Sequence, residues 1–214
     1  MDRWTIGGET LVNSYIYLEG GASGPNSKNL NIRCQQAFHN LLDRMGFTGR
    51  KPRLVACGGR GAVYERFCTE HRLEGGYVAM WIDSEEPLES IDRSWKHLAG
   101  VTSVAAWERP AGASDDQILF MTVCMETWIV ADREALRKHY GHQLQENVLP
   151  SLYQLEDKSR HDIQDRLERA TRFCKNVYAK GKHSFAVLSE LDPEVLKQHL
   201  PSFVRVDRIL KEKL

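Results

Sequence analysis

The chain has 214 residues and is 42% hydrophobic, which is enough to bury a full core and excludes a disordered tail or a miniprotein. It carries 29 basic and 29 acidic residues. The zero net charge excludes the global basic field of a non-specific nucleic-acid binder, so any site for a polyanion must be local.

Three further features bear on the cellular compartment. The cysteines contain no C-x-x-C pair, which disfavours a zinc ribbon or a disulfide framework and favours a reducing compartment. No apolar run approaches the roughly 18 to 20 residues of a membrane span. The amino terminus, Met1 to Trp4, lacks a signal-peptide profile. We therefore expect a cytoplasmic protein without a membrane partner.

The first predicted strand is the aromatic and β-branched run Tyr15–Leu18, which ends in Glu19 followed by Gly20 and Gly21. Ligands of open α/β sheets bind just outside the carboxyl ends of parallel strands. A carboxylate in that position is a candidate for binding a metal, a proton or a cation.

Helices and strands alternate after this strand. Apolar residues recur at helical spacing from Leu30 to Met45, and Gly46 stands where this helix would stop. Residues 53–57 and 77–82 read as buried strands, with a helix between them that places Val63 and Phe67 on one side. This order predicts a parallel sheet whose strand ends, at Glu19, Gly58 and Asp83, open on one edge.

The second half of the chain is predicted to be helical. Residues 118–131 read as one buried helix interrupted only by Glu126, with Asp115 and Asp116 either as helix-start acids or as further metal ligands. A charged helix is expected over residues 162–174, and Pro193 and Pro201 mark helix starts or breaks. Residues 158–182 contain eight Lys or Arg against three acids and form the one clearly basic segment.

Three carboxylates are candidates for a single site. If the sheet forms as predicted, Glu19, Asp83 and Glu85 enter one crevice, and hard divalent ions such as Mg²⁺ take carboxylate oxygens as ligands. The glycines after Glu19 would let a phosphate or a metal-bound water approach the backbone. Each acid alone has a simpler interpretation as a solvated loop residue.

These residues resemble a known family. The segments YLEGG and AMWIDSEEP look like the two signature segments of a Toprim domain, the metal-binding fold of topoisomerases, primases, recombination-repair factors and overcoming-lysogenization-defect (OLD) nucleases. CMETWIVADREAL resembles the Glu-x-Trp helix of Toprim-like proteins that bacteria encode beside an ATPase in restriction-linked and phage-defence operons. With ACGGRGAVY, RPAGASDDQ and YAKGKHSF, the similarity covers most of the chain.

The resemblance implies a fold. The implied fold is an α/β, Rossmann-like Toprim fold with a central, mostly parallel sheet flanked by helices. The catalytic domain would span residues 1–150, and a helical C-terminal extension over residues 151–214 would pack on it.

The resemblance also implies roles for the acids. Glu19 matches the metal-ligand or acid/base Glu of the first motif, and Asp83 matches the first acid of the Asp-x-Asp motif. Glu85 stands where the pattern has Asp and is one methylene longer. Glu126 would bind a second metal, or else would be a buried Glu satisfied by an Arg.

Basic residues and glycines complete the predicted site. Lys182 falls where OLD-type nucleases supply a catalytic lysine, although a solvated turn lysine is an equal alternative. Phosphate or nucleic-acid binding is expected from four residues: Gly20, Gly21, Arg60 and Lys180.

The leading hypothesis is a nuclease dependent on Mg²⁺ or Mn²⁺, with two ions, acting as the effector of an antiphage system. Its partners would be nucleic acid and a separately encoded ATPase of the OLD, ABC or AAA type, and homo-oligomerisation is left open. The alternatives are a regulatory Toprim subunit that binds the ATPase, and another phosphotransfer reaction such as nucleotidyl transfer or action on tRNA.

Overall fold

The computed structural model describes residues 14–22, 24, 27–72, 76–102 and 105–214. The signal-peptide prediction at Met1 to Trp4 lies outside the described residues. Within them, one four-stranded sheet is flanked by nine α-helices, so the predicted α/β, Rossmann-like class is confirmed.

The sheet is parallel throughout. Its strands are β1 (Tyr15–Leu18), β2 (Arg53–Ala56), β3 (Val78–Asp83) and β4 (Ile118–Met121), in the order β2-β1-β3-β4. Leu18 lies opposite Ala56 on one side and Trp81 on the other. The carboxyl ends of β1, β2 and β3 therefore meet at one edge, as the alternation of elements predicted.

The helices agree with the sequence in most places. The bounds are α1 Lys28–Arg44, α2 Arg60–Glu70, α3 Ser94–Gly100, α4 Met125–Ala131, α5 Arg133–Tyr140, α6 Arg160–Thr171, α7 Lys182–Leu188, α8 Pro193–His199 and α9 Pro201–Lys213. Gly46 follows α1 with φ of 89°, a conformation that glycine adopts without steric cost. Pro193 and Pro201 open α8 and α9, because proline has no N–H to lose at a first helical position.

The single buried helix predicted over residues 118–131 is wrong. Ile118–Met121 forms β4, which pairs with β3 so that Met121 lies opposite Asp83, and α4 begins only at Met125. Both interpretations require a continuous apolar run, and four residues are too few for periodicity to separate them.

Asp115 and Asp116 do not start a buried helix, because the helix predicted over residues 118–131 does not form. Asp115–Gln117 is a single 3₁₀ turn before β4. Asp115 accepts a hydrogen bond from the backbone N–H of Trp95 (2.9 Å), and Asp116 lies 3.7 Å from the guanidinium of Arg205. Both acids therefore have structural partners away from the strand ends of β1 and β3.

Both faces of the sheet are covered. Trp81 of β3 points into a cluster with Phe38 of α1 and Trp128 of α4, whereas its neighbour Met80 points into a second cluster with Phe67 of α2. The helices after residue 150 join the first cluster, as the packing of Phe203 on Trp128 shows (ring centroids 4.9 Å). The division of the chain at residue 150 stays a prediction.

The described helices include none with the length and apolar character that a membrane crossing requires. All five cysteines lie in described ranges and are free thiols.

Candidate metal centre

Glu19 and Asp83 lie side by side because β1 and β3 are neighbours in the sheet. The backbone N–H of Glu19 donates to the carbonyl of Trp81 (2.9 Å), which continues the strand pairing by one residue. The Glu19 carboxylate then accepts a hydrogen bond from the backbone N–H of Asp83 (3.0 Å). The first-strand carboxylate thus lies across the end of the third strand.

Glu85 turns back toward this pair through an unusual backbone conformation. Its φ is 69°, in the left-handed region, which costs roughly 1–2 kcal/mol for a residue with a side chain. Its N–H donates to the carbonyl of Val123 (2.9 Å), which holds the turn in place. As a result, Glu19, Asp83 and Glu85 each offer an oxygen within 4.8 Å of the others.

Burial and mutual repulsion disfavour the ionised forms of Glu19 and Asp83. Burial raises the pKa of Glu19, and the charge of Glu85 adds to this effect. Burial also raises the pKa of Asp83, which is 3% exposed, and the charges of Glu19 and Glu126 raise it further. A set of mutually repelling, partly dehydrated carboxylate oxygens is a fitting ligand set for a hard divalent cation.

Arg160 is the side chain that already supplies charge there. It is the first residue of α6, and its guanidinium pairs with the Glu85 carboxylate and lies 3.8 Å from Oδ2 of Asp83. Arg160 was not among the candidate site residues, although it lies in the basic segment of residues 158–182. A cation is thus already seated between two of the three carboxylates, which shows that the pocket favours positive charge.

Glu126 lies close by but is satisfied by other partners. It is fully buried in α4, where Tyr178 and Gln164 donate hydrogen bonds to its carboxylate. Burial alone would raise its pKa, but the Tyr178 hydrogen bond, the Lys180 charge and the Gln164 hydrogen bond together hold the pKa below its usual value. Glu126 is not in the three-carboxylate cluster, and the predicted Arg partner is in fact a tyrosine with a glutamine.

A cavity of about 290 Å³ opens beside the carboxylates. Its wall includes Glu19, Asp83, the Gly58-Gly59 turn and Lys180. Lys180 is exposed, and its positive charge partly offsets the rise in the pKa of both Glu19 and Asp83. The cavity thus has acids on one side and a lysine on the other.

The structure does not place Lys182 at this cavity. Lys182 is the exposed first residue of α7 and is absent from the cavity lining. Its predicted catalytic role stays a prediction without a geometric basis, and Lys180 is the lysine that reaches the site.

Gly20 and Gly21 have packing roles. A side chain on Gly20 would meet Sγ of Cys34 at 2.9 Å, and one on Gly21 would meet Oδ1 of Asn31 at 2.1 Å. The N–H of Gly20 already donates to the carbonyl of Gly58 (3.0 Å). Both glycines also line the cavity, so phosphate binding at Gly20 and Gly21 stays a prediction, although the N–H of Gly20 already has a partner.

Arg60 contacts the end of β3 through its guanidinium. Its Nη1 donates to the carbonyl of Asp83 (2.8 Å), and its guanidinium stacks on Trp107 at 4.3 Å from the ring centroid. Burial lowers its pKa, against the raising effect of the nearby carboxylates. Within the described residues its Nε and Nη2 have no hydrogen-bond partner, so the predicted phosphate contact stays open.

Comparison with known proteins identifies the family alone. A family model described as "Domain of unknown function (DUF4276)" matches residues 22–207, and the chain therefore belongs to that family. A search of curated proteins and a search of solved structures found no match.

Proposed function

We propose that this member of the DUF4276 family is a divalent-metal-dependent nuclease that hydrolyses phosphodiester bonds of nucleic acid. The observation that carries the proposal is the convergence of Glu19, Asp83 and Glu85 within 4.8 Å at one edge of the sheet, beside an open cavity. The three carboxylates could hold a metal ion, and phosphodiester hydrolysis is the reaction that we propose for this site.

The chemistry of the three side chains suits Mg²⁺ or Mn²⁺. All donors are carboxylate oxygens, and burial raises the pKa of Glu19 and Asp83, so a divalent cation would stabilise their ionised forms. In such a site a divalent ion supplies an activated water and neutralises charge on the phosphate.

Residues of the chain would position the substrate. Lys180, at the cavity wall, can neutralise a phosphate oxygen as a mobile point charge. Residues 169–182 contain five Lys or Arg and no acid, so the surface that leads to Lys180 is locally basic although the whole chain is neutral. Glu19, which lines the cavity beside Asp83 and whose carboxylate accepts one backbone hydrogen bond, is placed to accept a proton from water.

The resemblance of YLEGG and AMWIDSEEP to Toprim segments supports the same reaction class. On that resemblance we further propose a separately encoded ATPase as partner and a role in antiphage defence.

The test is cleavage of supercoiled plasmid and of single-stranded DNA and RNA with Mg²⁺ or Mn²⁺. We expect wild-type protein to nick or cut, and Glu19→Gln and Asp83→Asn to lose the activity. Asp132→Asn is the matched control, because Asp132 is also buried but caps α5 away from the cavity. Cleavage that survives both site substitutions would contradict the proposal, and an inactive wild type, alone and with the ATPase, would favour the regulatory subunit.

A further inference from the structure

Arg160 occupies a position that a second metal ion would need. Its guanidinium contacts Glu85 directly and lies 3.8 Å from Oδ2 of Asp83. The two ions of a two-metal site lie about 3.5–4 Å apart and share ligands. The three acids each offer one oxygen within 4.8 Å of the others, and a cluster of this size has little room for two ions and a guanidinium.

The remaining carboxylate oxygens are also partly committed. Oε2 of Glu19 accepts from the backbone N–H of Asp83 (3.0 Å), and Oδ1 of Asp83 accepts from the backbone N–H of Met125 (2.9 Å). Each of the three acids therefore has one oxygen engaged by backbone or by Arg160. Among the described residues, the other oxygen of each acid accepts no hydrogen bond, and Oδ2 of Asp83 lies 3.8 Å from Arg160. These oxygens suffice for a single Mg²⁺, which one or two carboxylates usually hold.

The charges balance with one ion. Three ionised carboxylates carry three negative charges, and one divalent ion together with Arg160 carries three positive charges. Among the described residues, Arg160 is the cation within 4.0 Å of a carboxylate oxygen of the three acids, and the charge count includes only groups in such contact. Arg60 and Lys180 act on the acids from farther away. Two ions and Arg160 would leave the buried site with an excess of positive charge before the substrate arrives.

The capped start of α6 also helps to fix the position of Arg160. It begins α6, whose N-cap Ser159 accepts a hydrogen bond from the N–H of Asp162 (3.2 Å), and its side chain is 28% exposed. A guanidinium has five N–H donors in a planar fork, so it can pair with Glu85 and still donate to a phosphate oxygen.

From this geometry we propose that Arg160 replaces one of the two metal ions of a two-metal nuclease site, so that the protein binds a single divalent ion. The inference rests on the proposed function, and it adds a fixed cation, supplied by α6, beside the single metal ion.

The experiment counts Mn²⁺ ions per chain by calorimetric titration and by electron paramagnetic resonance, without substrate. We expect one ion in the wild type, with the spectrum of an isolated Mn²⁺. Arg160→Met keeps much of the volume, removes the charge, and should raise the count to two. Arg160→Gln also removes the charge and should likewise bind two ions, so it tests the role of Arg160 if the Met variant fails to fold by circular dichroism.

Arg166→Met is the matched control on the same helix. Arg166 pairs with Asp162 and not with the three carboxylates, so this variant should bind one ion like the wild type. Two ions in the wild type, or one ion in folded Arg160→Met, would overturn the role of Arg160 and leave the nuclease proposal intact. Absence of any Mn²⁺ binding by the wild type, or binding that Asp83→Asn does not weaken, would overturn the metal site itself.

Discussion

Replacing Asp83 with Asn should make the metal-free protein more stable while removing its response to metal. Asn keeps an oxygen for the N–H of Met125, which Asp83 now binds at 2.9 Å. The substitution removes a negative charge from a side chain that is 3% exposed and whose pKa burial and neighbouring acids raise. Its stability effect is therefore the balance of the dehydration of the carboxylate and its interactions with neighbouring charges.

The size of the effect follows from these distances. Two unit charges 4.8 Å apart, as Asp83 and Glu19 at the outer limit of the cluster, repel by about 3.5 kcal/mol at an effective dielectric constant of about 20. The attraction to Arg160 at 3.8 Å is about 4 kcal/mol on the same scale, so the two nearly cancel. What remains is the dehydration of the carboxylate and its repulsion from Glu126, and we expect a net gain of about 1–2 kcal/mol.

Thermal unfolding measures the prediction. For a chain of this length the gain corresponds to a rise in Tm of about 2–8 °C in EDTA. Wild-type protein at a Mn²⁺ concentration ten times its Kd should gain about 1.4 kcal/mol, or about 3–6 °C, and Asp83→Asn should gain nothing.

Asp132→Asn is the control for loss of a buried carboxylate. Asp132 accepts hydrogen bonds from the N–H groups of Ala135 (3.0 Å) and Asp192 (2.8 Å), so its replacement should destabilise by about 1–2 kcal/mol and leave the metal response unchanged. An Asp83→Asn variant that melts below wild type in EDTA, or that still responds to Mn²⁺, would refute the reasoning.

Three further predictions concern other residues. Burial raises the pKa of Glu156 from 4.5 to about 7 against the hydrogen bonds from Ser202, so the wild type loses stability relative to Glu156→Gln as pH rises from 4.5 to 7. In urea, the free energies of unfolding of the wild type and Glu156→Gln should be equal near pH 4, and at pH 8 the variant should be more stable by up to about 3 kcal/mol. An equal difference at both pH values would be inconsistent with this. Lys180→Met should lower kcat for nucleic-acid cleavage about 100-fold and Lys182→Met less than threefold, and the reverse order would restore the role predicted from sequence. Arg205→Met should cost about 3 kcal/mol in urea unfolding, since this 4% exposed guanidinium donates to two backbone carbonyls beside β4; a loss under 1 kcal/mol would contradict that role.

The positions of Glu19 and Asp83 were predictable because both depend on local rules. Each residue ends an apolar run typical of a buried strand, and parallel strands align their carboxyl ends. Only the neighbour relation of β1 and β3 is then needed to bring them together. For the same reason the Gly46 stop and the proline starts were predictable from single residues.

The remaining features depend on contacts that sequence spacing does not contain. β4 is a strand because β3 offers it an open edge, whereas its four apolar residues fit a helix equally well. Arg160 meets Glu85 across 75 residues of sequence, and Tyr178 meets Glu126 across 52. The sequence already named Lys180 as a phosphate-binding candidate, and the basic composition of residues 158–182 indicated the right segment. The role of Arg160, in contrast, depends on how α6 packs against the carboxylates.

The dependence of the site on residues after 158 has a consequence for protein synthesis. A nascent chain that has reached residue 150 already contains Glu19, Asp83 and Glu85, but it still lacks Arg160 and Lys180. The missing residues enter the fold with α6 and with the chain that precedes α7, while Arg205 of α9 binds the carbonyls beside β4 later still. Under the proposed function, a ribosome-bound intermediate would hold the acids of a nuclease without its cations. The order of translation would thereby delay cleavage of nucleic acid near the ribosome until the C-terminal helices have folded.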